Sequence, residues 1–433
     1  MRNISANGRA VSALAGAWLL SACAVQPPVA AVPQATVEAY VADHPAELRR
    51  LTQQVPLQGD RNRALNQMRS GLAAMELGRL DIAAAAFDDA LRIIEAIYAD
   101  NPAAERARSV WYAESAKDFK GEPYERAMAY YYRGLVYLMQ GDYQTARASF
   151  RGGLLQDSFM EENQRMTSDF GALAFLEGWA GRCAGFDAQT VAASFSEAHG
   201  RNAALAEPAA GNSLIVLFET GTGPQKRTAG SRNEVLGYTR GTVAPLTEAE
   251  FVVGGRGARV VQAEDLFYQA ATRSGRWVDT INQGKVVYQS TTRSAGQAAT
   301  MVGAGLLAAS GFQGNSRASN NMAAAGGAIM LAGLLVQAAA EAMKTEADAR
   351  QWDNLPANIL LGTAPLPQPA AAARGKPAAA PPHAVSVFFE RGDTPQQREL
   401  PLRATGRCAI AWGREVPALA VADIAPNTAR PPR

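Results

Sequence analysis

The stretches GLAAMELGRLDIAAAAFDDAL (Gly71–Leu91) and GLVYLMQGDYQTARASFRGGL (Gly134–Leu154) carry the same pattern of small and large residues. In both, Gly stands at offsets 0 and 7, Ala at offset 12, Phe at offset 16 and Leu at offset 20. Glycine ends helices in the left-handed conformation, and a small residue opposite a large ring lets two helices approach closely. The pattern therefore predicts two helical hairpins with turns at Gly78 and Gly141.

The spacing of these residues resembles that of the tetratricopeptide repeat (TPR), which implies a helical solenoid. The two copies begin 63 residues apart, nearly twice the 34-residue period of that repeat, so a divergent helical pair is expected between them, from Ile94 to Phe119. A degenerate third copy lies around Leu176–Ala198, with Val191 at the position of the expected Ala. The predicted fold class is mainly α: a TPR-like helical solenoid at 37–200, followed by a small α+β C-terminal region with an Ala/Gly-rich helical hairpin.

The resemblance also implies a concave groove lined by one face of the first helix of each repeat. Eight positions on that face are apolar in this chain, which predicts an occupied groove rather than an open, water-filled one. The occupant is either another part of the same chain or a partner, such as an amphipathic helix or a lipid-like molecule. The candidate partner-binding residues are Leu65, Met68, Leu72, Met75, Met128, Tyr131, Leu135 and Leu138.

The N-terminus has the features of a bacterial lipoprotein signal. Arg2 and Arg9 precede or flank a short apolar run, which ends in Leu-Ser-Ala-Cys at residues 20–23. We expect a signal peptide at 1–22, lipidation of Cys23 and a Pro/Ala-rich tether at 23–36; the alternative is an ordinary secretory signal with an incidental cysteine. Ala24 favours an anchor at the periplasmic face of the outer membrane, held by acyl chains such as palmitate.

Composition excludes several functional classes. The chain has 42 basic and 40 acidic residues, too balanced for a protein that neutralises many phosphates of a nucleic acid. With three His and three Cys, none at ligand spacing, we expect no metal site and no cofactor. The motifs HExxH, GxSxG, SxxK and the Walker loop are missing, so we expect no catalytic residues, no enzyme activity and no small-molecule substrate.

The second half alternates between strand-like and Ala/Gly-rich segments. Short apolar stretches predict strands near 213–219, 250–253, 258–262, 385–389, 400–402 and 408–412, read as a small mixed sheet that closes over the solenoid. The expected boundaries are an α+β region at 210–362 with Ala/Gly-rich helices at 294–344, a Pro/Ala linker at 363–382, a β segment at 383–414 and a disordered tail at 415–433. The Ala/Gly-rich helices either pack in or against the soluble core, or they insert in a membrane or oligomerise.

The two cysteines beyond Cys23 leave two alternatives open. In the oxidising periplasm, Cys183 and Cys408 either form a disulfide between the helical part and the C-terminal part, or remain as two buried thiols. The sequence alone supplies no pairing geometry, so both alternatives stand.

Three further stretches carry a resemblance to a known group: KDFKGEPYER at 117–126, ETGTGPQK at 219–226 and DARQWDNLP at 348–356. Together with the signal and the repeats, they resemble a family of uncharacterised proteobacterial lipoproteins with N-terminal TPR repeats, over about residues 60–360. The resemblance implies an envelope protein without a defined activity, sometimes encoded beside activators of penicillin-binding proteins.

These observations predict an outer-membrane-anchored periplasmic lipoprotein that acts as a non-catalytic TPR scaffold for protein–protein interaction in cell-envelope assembly. Its expected partners are the membrane, through the lipid anchor, and one or more unknown envelope proteins. The alternative is an oligomerising or membrane-inserting component of an envelope transport or secretion assembly, in which the segment 294–340 makes the contact.

Overall fold

The structure is a computed structural model, and it describes residues 32–96, 118–158, 169–229, 231, 233–272, 347–366, 384–391 and 394–420, with isolated positions between 297 and 334. Its N-terminal half is a layer of helices. These are α1 (Gln34–Val41), α2 (Ala46–Thr52), α3 (Gln54–Gln58), α4 (Asp60–Glu76), α5 (Leu80–Glu95), α6 (Pro123–Gln140), α7 (Tyr143–Ser158), α8 (Gly171–Ala184) and α9 (Ala188–Arg201). The pairs α4–α5, α6–α7 and α8–α9 are consecutive helical hairpins.

Each of these hairpins turns at a left-handed glycine. The φ angles of Gly78, Gly141 and Gly185 are +72°, +80° and +80°, a region that side chains with a Cβ rarely adopt. In each turn the glycine and the residue after it donate backbone hydrogen bonds to carbonyls of the preceding helix. The turns predicted at Gly78 and Gly141 are confirmed, and Gly185 adds a third.

Inside each hairpin a glycine of the first helix faces a phenylalanine ring of the second. A Cβ at Gly71 would lie 3.1 Å from the ring of Phe87, and one at Gly178 would lie 3.1 Å from the ring of Phe195. A Cβ at Gly134 would overlap the ring of Phe150. The missing side chain is what allows the two helices to approach.

The C-terminal half contains a closed barrel of seven strands. The described strands of this half, seven in the barrel and two outside it, are β1 (Leu214–Thr220), β2 (Gln225–Ala229), β3 (Val235–Thr239), β4 (Glu250–Val253), β5 (Arg256–Asp265), β6 (Asn358–Ala364), β7 (Ala384–Arg391), β8 (Thr394–Thr405) and β9 (Cys408–Arg414). The order around the barrel is β1-β6-β5-β4-β7-β8-β9, and β1 closes it by pairing in parallel with β9. Strands β2 and β3 form a separate two-stranded ribbon, and the helix α10 (Leu266–Thr272) follows β5.

The predicted fold class is therefore wrong. The molecule is not a mainly α TPR solenoid with a small mixed sheet, because helices make up only about half of it and the strands close into a barrel. Six of the seven barrel strands overlap short apolar stretches from which strands were predicted, but neither β6 nor the pairing of the strands was predicted. Closure depends on contacts between β1, β6 and β9, which are far apart in the chain.

The barrel has an apolar interior, and its outer wall packs on the helical layer. On β1 the side chains of Leu214, Val216 and Phe218 belong to the interior cluster. The alternate side chains of Ile215 and Leu217 belong to the cluster that also contains the helices. Because both faces of β1 are covered, all of its residues are buried, which explains its uninterrupted apolar run.

The β8–β9 hairpin lies across the turns of the helical hairpins. Arg403 Nη2 lies beside Gly78, the Thr405 side chain beside Gly141 and Arg407 Nη1 beside Gly185. Every second residue at the end of β8 and in the following turn therefore contacts a successive helical turn. In the part of the chain described, no helix has the length and apolarity needed to cross a bilayer.

Candidate functional site

The predicted groove exists as a buried interface between the helical layer and the barrel. All eight predicted groove residues are at most 3% exposed. They share one apolar cluster with outward-facing barrel residues such as Ile215, Ile410 and Trp412, and with Trp352 and Leu355. The chain itself therefore fills this face, and an external partner would have to displace the barrel to reach it. The Ala/Gly-rich segment 294–340, the occupant suggested by its composition, lies almost entirely outside the described residues.

Glu219, at the end of β1, is the centre of a polar network in this interface. Its Oε1 accepts hydrogen bonds from Trp412 Nε1 at 2.9 Å and from the Tyr131 hydroxyl at 3.2 Å, and its Oε2 accepts one from the Tyr132 hydroxyl at 2.8 Å. Arg414 Nε lies 3.5 Å from Oε2, at ion-pair distance. Glu219 and Arg414 are 1% and 2% exposed, so this charge pair is sealed from water.

Burial sets the protonation of this network. Desolvation raises the pKa of Glu219, and Arg414 with the three hydrogen-bond donors opposes that rise. Desolvation, followed by the nearby Glu219 carboxylate, raises the pKa values of Tyr131 and Tyr132 well above their ordinary value. Both tyrosines are therefore neutral and act as donors, so the predicted groove residue Tyr131 uses its hydroxyl for an internal bond.

A second buried ion pair joins the start of α6 to the ribbon strand β2. Lys226 Nζ lies 2.6 Å from Glu125 Oε2, with both side chains at most 1% exposed. Glu125 Oε2 also accepts from the Glu122 backbone N–H, which completes a capping box, and its Oε1 accepts from the Trp352 N–H at 2.8 Å. Lys226 Nζ donates in addition to the Arg350 carbonyl at 2.8 Å.

The segment 348–356 links the two ion pairs. The Asn354 carbonyl accepts from Arg414 Nη2 at 2.8 Å, and its side-chain oxygen accepts from Trp352 Nε1 at 2.6 Å. Asp353 forms an ion pair with Arg69 on α4 at 2.7 Å. The three stretches 117–126, 219–226 and 348–356 therefore meet at one place, between the helical layer and the barrel. Three ion pairs lie there: Glu219 with Arg414, Glu125 with Lys226 and Asp353 with Arg69.

A cleft opens at the edge of this network. It has a volume of about 250 Å³ and lies between the C-terminal ends of α4 and α6 and the strands β8 and β9. Trp412 and Arg414 belong to both the network and the cleft wall.

Glu264, on β5, is a third buried carboxylate. Its Oε1 accepts from Gln269 Nε2 at 2.8 Å, and its Oε2 accepts from the Ala172 N–H at the start of α8 at 3.2 Å. Burial raises the pKa of Glu264 to about 8, and these two hydrogen bonds only partly oppose it. Glu264 therefore carries a proton at neutral pH.

The structure joins Cys183 on α8 to Cys408 at the start of β9 by a disulfide. The bond lies next to the contact of Arg407 with Gly185, so it holds the barrel against the last helical hairpin.

Several predicted segments lie wholly or partly outside the described residues. Cys23, the signal and most of the tether lie outside the described residues, as do most of the Pro/Ala linker and the end of the tail. Where the chain is described, no group of His, Cys, Asp and Glu is arranged to hold a metal ion.

Sequence reasoning did not select Glu219, Arg414 or Lys226 as site residues. The available signal was a charged residue at the end of an apolar strand, as in the Leu-Phe-Glu that ends near residue 219 and the Trp-Gly-Arg that ends at 414. A charge in that position is rarely buried unless it is paired.

Comparison with protein-family models, curated proteins and solved structures found no match to this chain. The resemblance to the lipoprotein family stays a prediction.

Proposed function

We propose that this chain is a lipid-anchored protein at the periplasmic face of the outer membrane, which binds another envelope protein and catalyses no reaction. The observation that carries the proposal is the disulfide between Cys183 and Cys408. Disulfides persist in oxidising compartments such as the periplasm and are rare in the cytosol. The bond therefore agrees with the export and lipidation expected from Leu-Ser-Ala-Cys at 20–23.

The buried network supports a binding role over a catalytic one. Glu219 and Glu125 accept hydrogen bonds on both carboxylate oxygens and are at most 1% exposed. A catalytic acid or base must contact the proton that is transferred. The hydrogen bonds of these two carboxylates instead hold the helical layer to the C-terminal half.

The partner surface of this proposal is the edge formed by the turns of the helical hairpins and the β8–β9 hairpin, which we call the turn edge. Two large apolar side chains, Leu77 and Phe186, lie there 41% and 39% exposed. Arg403 lies beside Gly78, the residue after Leu77, and Arg407 lies beside Gly185, the residue before Phe186. Apolar side chains flanked by arginine are frequent in protein–protein interfaces.

Lipidation is tested by replacing the anchor residue. In cells that express the full chain, Cys23→Ala should abolish labelling by palmitate and move the protein from the membrane fraction to the soluble fraction. Cys183→Ala, a cysteine of the folded part, should leave palmitate labelling unchanged. Membrane retention of the Cys23→Ala protein without label would contradict the lipid anchor.

Partner binding is tested by photocrosslinking in intact cells. A photoreactive residue at Leu77 or Phe186 should give a specific adduct with another envelope protein, whereas the same residue at Leu57, which is 46% exposed but lies on α3, should not. At Leu72, which faces the barrel, the adduct should be internal to the chain. Equal capture from all three exposed positions, or from none, would overturn the assignment of the turn edge.

A further inference from the structure

The cleft between the helical layer and the barrel has the composition of a small-ligand site. Its volume of about 250 Å³ equals that of roughly eight water molecules. One wall is apolar and consists of Met75 and Met139 from the helices with Leu400, Ile410 and Trp412 from the barrel. Three arginines, Arg398, Arg403 and Arg414, complete the lining together with Glu76 and Glu399.

Arg414 brings hydrogen-bond capacity to this cleft that the protein does not use. It is 2% exposed, its Nη2 donates to the Asn354 carbonyl, and its Nε is 3.5 Å from Glu219. Among the described residues, its buried Nη1 and Nε have no hydrogen-bond acceptor. A buried guanidinium without its acceptors is costly, so an acceptor supplied from the cleft would be favourable.

The lining holds three arginines and two acids. Glu76 Oε2 accepts from the Ala418 N–H at 2.7 Å, and Glu399 Oε1 accepts from Ser386 and Gln397, both at 2.7 Å. These bonds fix the two carboxylates in place, and those to Glu399 lower its pKa, so it keeps its negative charge. The positive charge offered to a ligand therefore comes from the excess of arginine, and Arg403 has no ion-pair partner among the residues described.

We propose that this cleft binds a small amphiphile with one anionic head, a carboxylate or a phosphate, on a short apolar body. The head lies between Arg403 and Arg414, where charge-assisted hydrogen bonds are strongest. The apolar body lies against Trp412, Leu400 and Met139. This inference goes beyond the proposed function and does not depend on the lipid anchor or on a protein partner.

The test is a calorimetric titration of the full lipidated chain in lipid nanodiscs, with empty nanodiscs subtracted. Hexanoate and pentyl phosphate supply the two heads on the same five-carbon apolar body, and the tighter of the two identifies the head. Hexanol lacks the charge and inorganic phosphate lacks the body, so both should bind at least tenfold more weakly. Saturable binding of hexanol as tight as that of hexanoate would overturn the anionic head, and equal binding of inorganic phosphate would overturn the apolar body.

Two variants localise the binding. Arg403→Gln removes one positive charge from a partly exposed position of the lining, and it should weaken binding of the preferred anion at least fivefold. Arg407→Gln is the matched control, because it lies two positions past the end of β8 on the same hairpin and outside the cleft. Met139→Trp fills the cleft and should abolish binding. Unchanged affinity in both Arg403→Gln and Met139→Trp, or no saturable binding of either anion to the native chain, would overturn the proposal.

Discussion

The two faces of the barrel wall are built in opposite ways from the same strands. The inward face of β1 and β9 consists of apolar side chains such as Val216, Phe218 and Ala411, which fill the barrel. The outward face carries apolar residues too, but it ends in the Glu219–Arg414 pair and its ring of donors. All residues of the two strands are buried. Packing alone stabilises the inner one, whereas the outer one also depends on specific pairing, so the two should respond differently to substitution.

The largest expected effect comes from breaking the covalent link on the outward face. The disulfide closes a separation of 225 residues, and the chain-entropy relation for a loop of that length gives a stabilisation of about 5 kcal/mol. The Cys183→Ala/Cys408→Ala double variant should lose free energy of unfolding by up to that amount, measured by denaturation in urea. The native chain unfolded with a reductant should match the variant. Equal stability of oxidised and reduced chains would show that the bond constrains nothing.

Removal of the buried charge of Glu219 comes next. Glu219→Leu leaves the Arg414 guanidinium buried without its counter-charge, and it deprives Tyr131, Tyr132 and Trp412 of their acceptor. We expect a loss of about 3–5 kcal/mol in urea denaturation.

The matched inward substitution is Val216→Ala, which removes two methyl groups from the same strand and should lose about 2 kcal/mol. Glu219→Gln keeps acceptor capacity and removes the charge, so it should fall between the two. A smaller loss for Glu219→Leu than for Val216→Ala would contradict the difference between the two faces.

The pH dependence of stability sharpens the comparison at a second outward position. The pKa of Glu264 is about 8 in the folded chain and 4.5 as its ordinary value, so the folded chain holds the proton more tightly than the unfolded one. The contribution of Glu264 to the free energy of unfolding is therefore fully present below about pH 4.5. It falls as the pH rises towards 8, by up to about 1.4 kcal/mol per pH unit. Glu264→Gln should remove this part of the slope between pH 6 and 8. Parallel profiles for the variant and the native chain would refute the assignment.

The smallest effects concern the helical layer alone. Gly134→Ala forces a Cβ into the ring of Phe150 and should cost about 1–3 kcal/mol. Gly200→Ala is the control on α9, because no atom lies within 4 Å of its added Cβ. It should raise the free energy of unfolding by about 0.5–1 kcal/mol, as Ala loses less backbone entropy than Gly in a helix. If both variants are destabilised alike, the contact with Phe150 does not set the helix separation.

The local structure was largely predictable from the sequence. Gly78 and Gly141 required left-handed turns, and the pattern of glycine and phenylalanine placed the hairpin contacts. The alternation of Cys408, Ile410 and Trp412 placed these side chains on one face of β9. Each of these signals depends on residues within one helical hairpin or within one strand, where spacing in the chain indicates which side chains lie together.

The barrel and the network were beyond that kind of reasoning. Whether β1 pairs with β6, with β9 or with both depends on packing across the second half of the chain, and spacing carries no information about it. Glu219 reads in sequence as the polar end of a strand, which is the ordinary place for a charged residue. Its burial follows only once Trp412, from β9, and the adjacent Tyr131 and Tyr132, from α6, have come together around it.

The parallel pairing of β1 with β9 also sets the order in which this protein becomes complete. Synthesis delivers the chain from its N-terminus, so the helical hairpins emerge long before β9. Until residues 408–414 arrive, the barrel has no closing strand, and the apolar face that includes Leu72 and Leu135 lacks the part of its cover that Ile410 and Trp412 supply. The N-terminal half is therefore incompletely covered until the last strand has been made. During that interval it exposes an apolar surface that a holdase-type chaperone would bind. Nascent chains arrested before residue 408 should be the form of this protein most prone to aggregate.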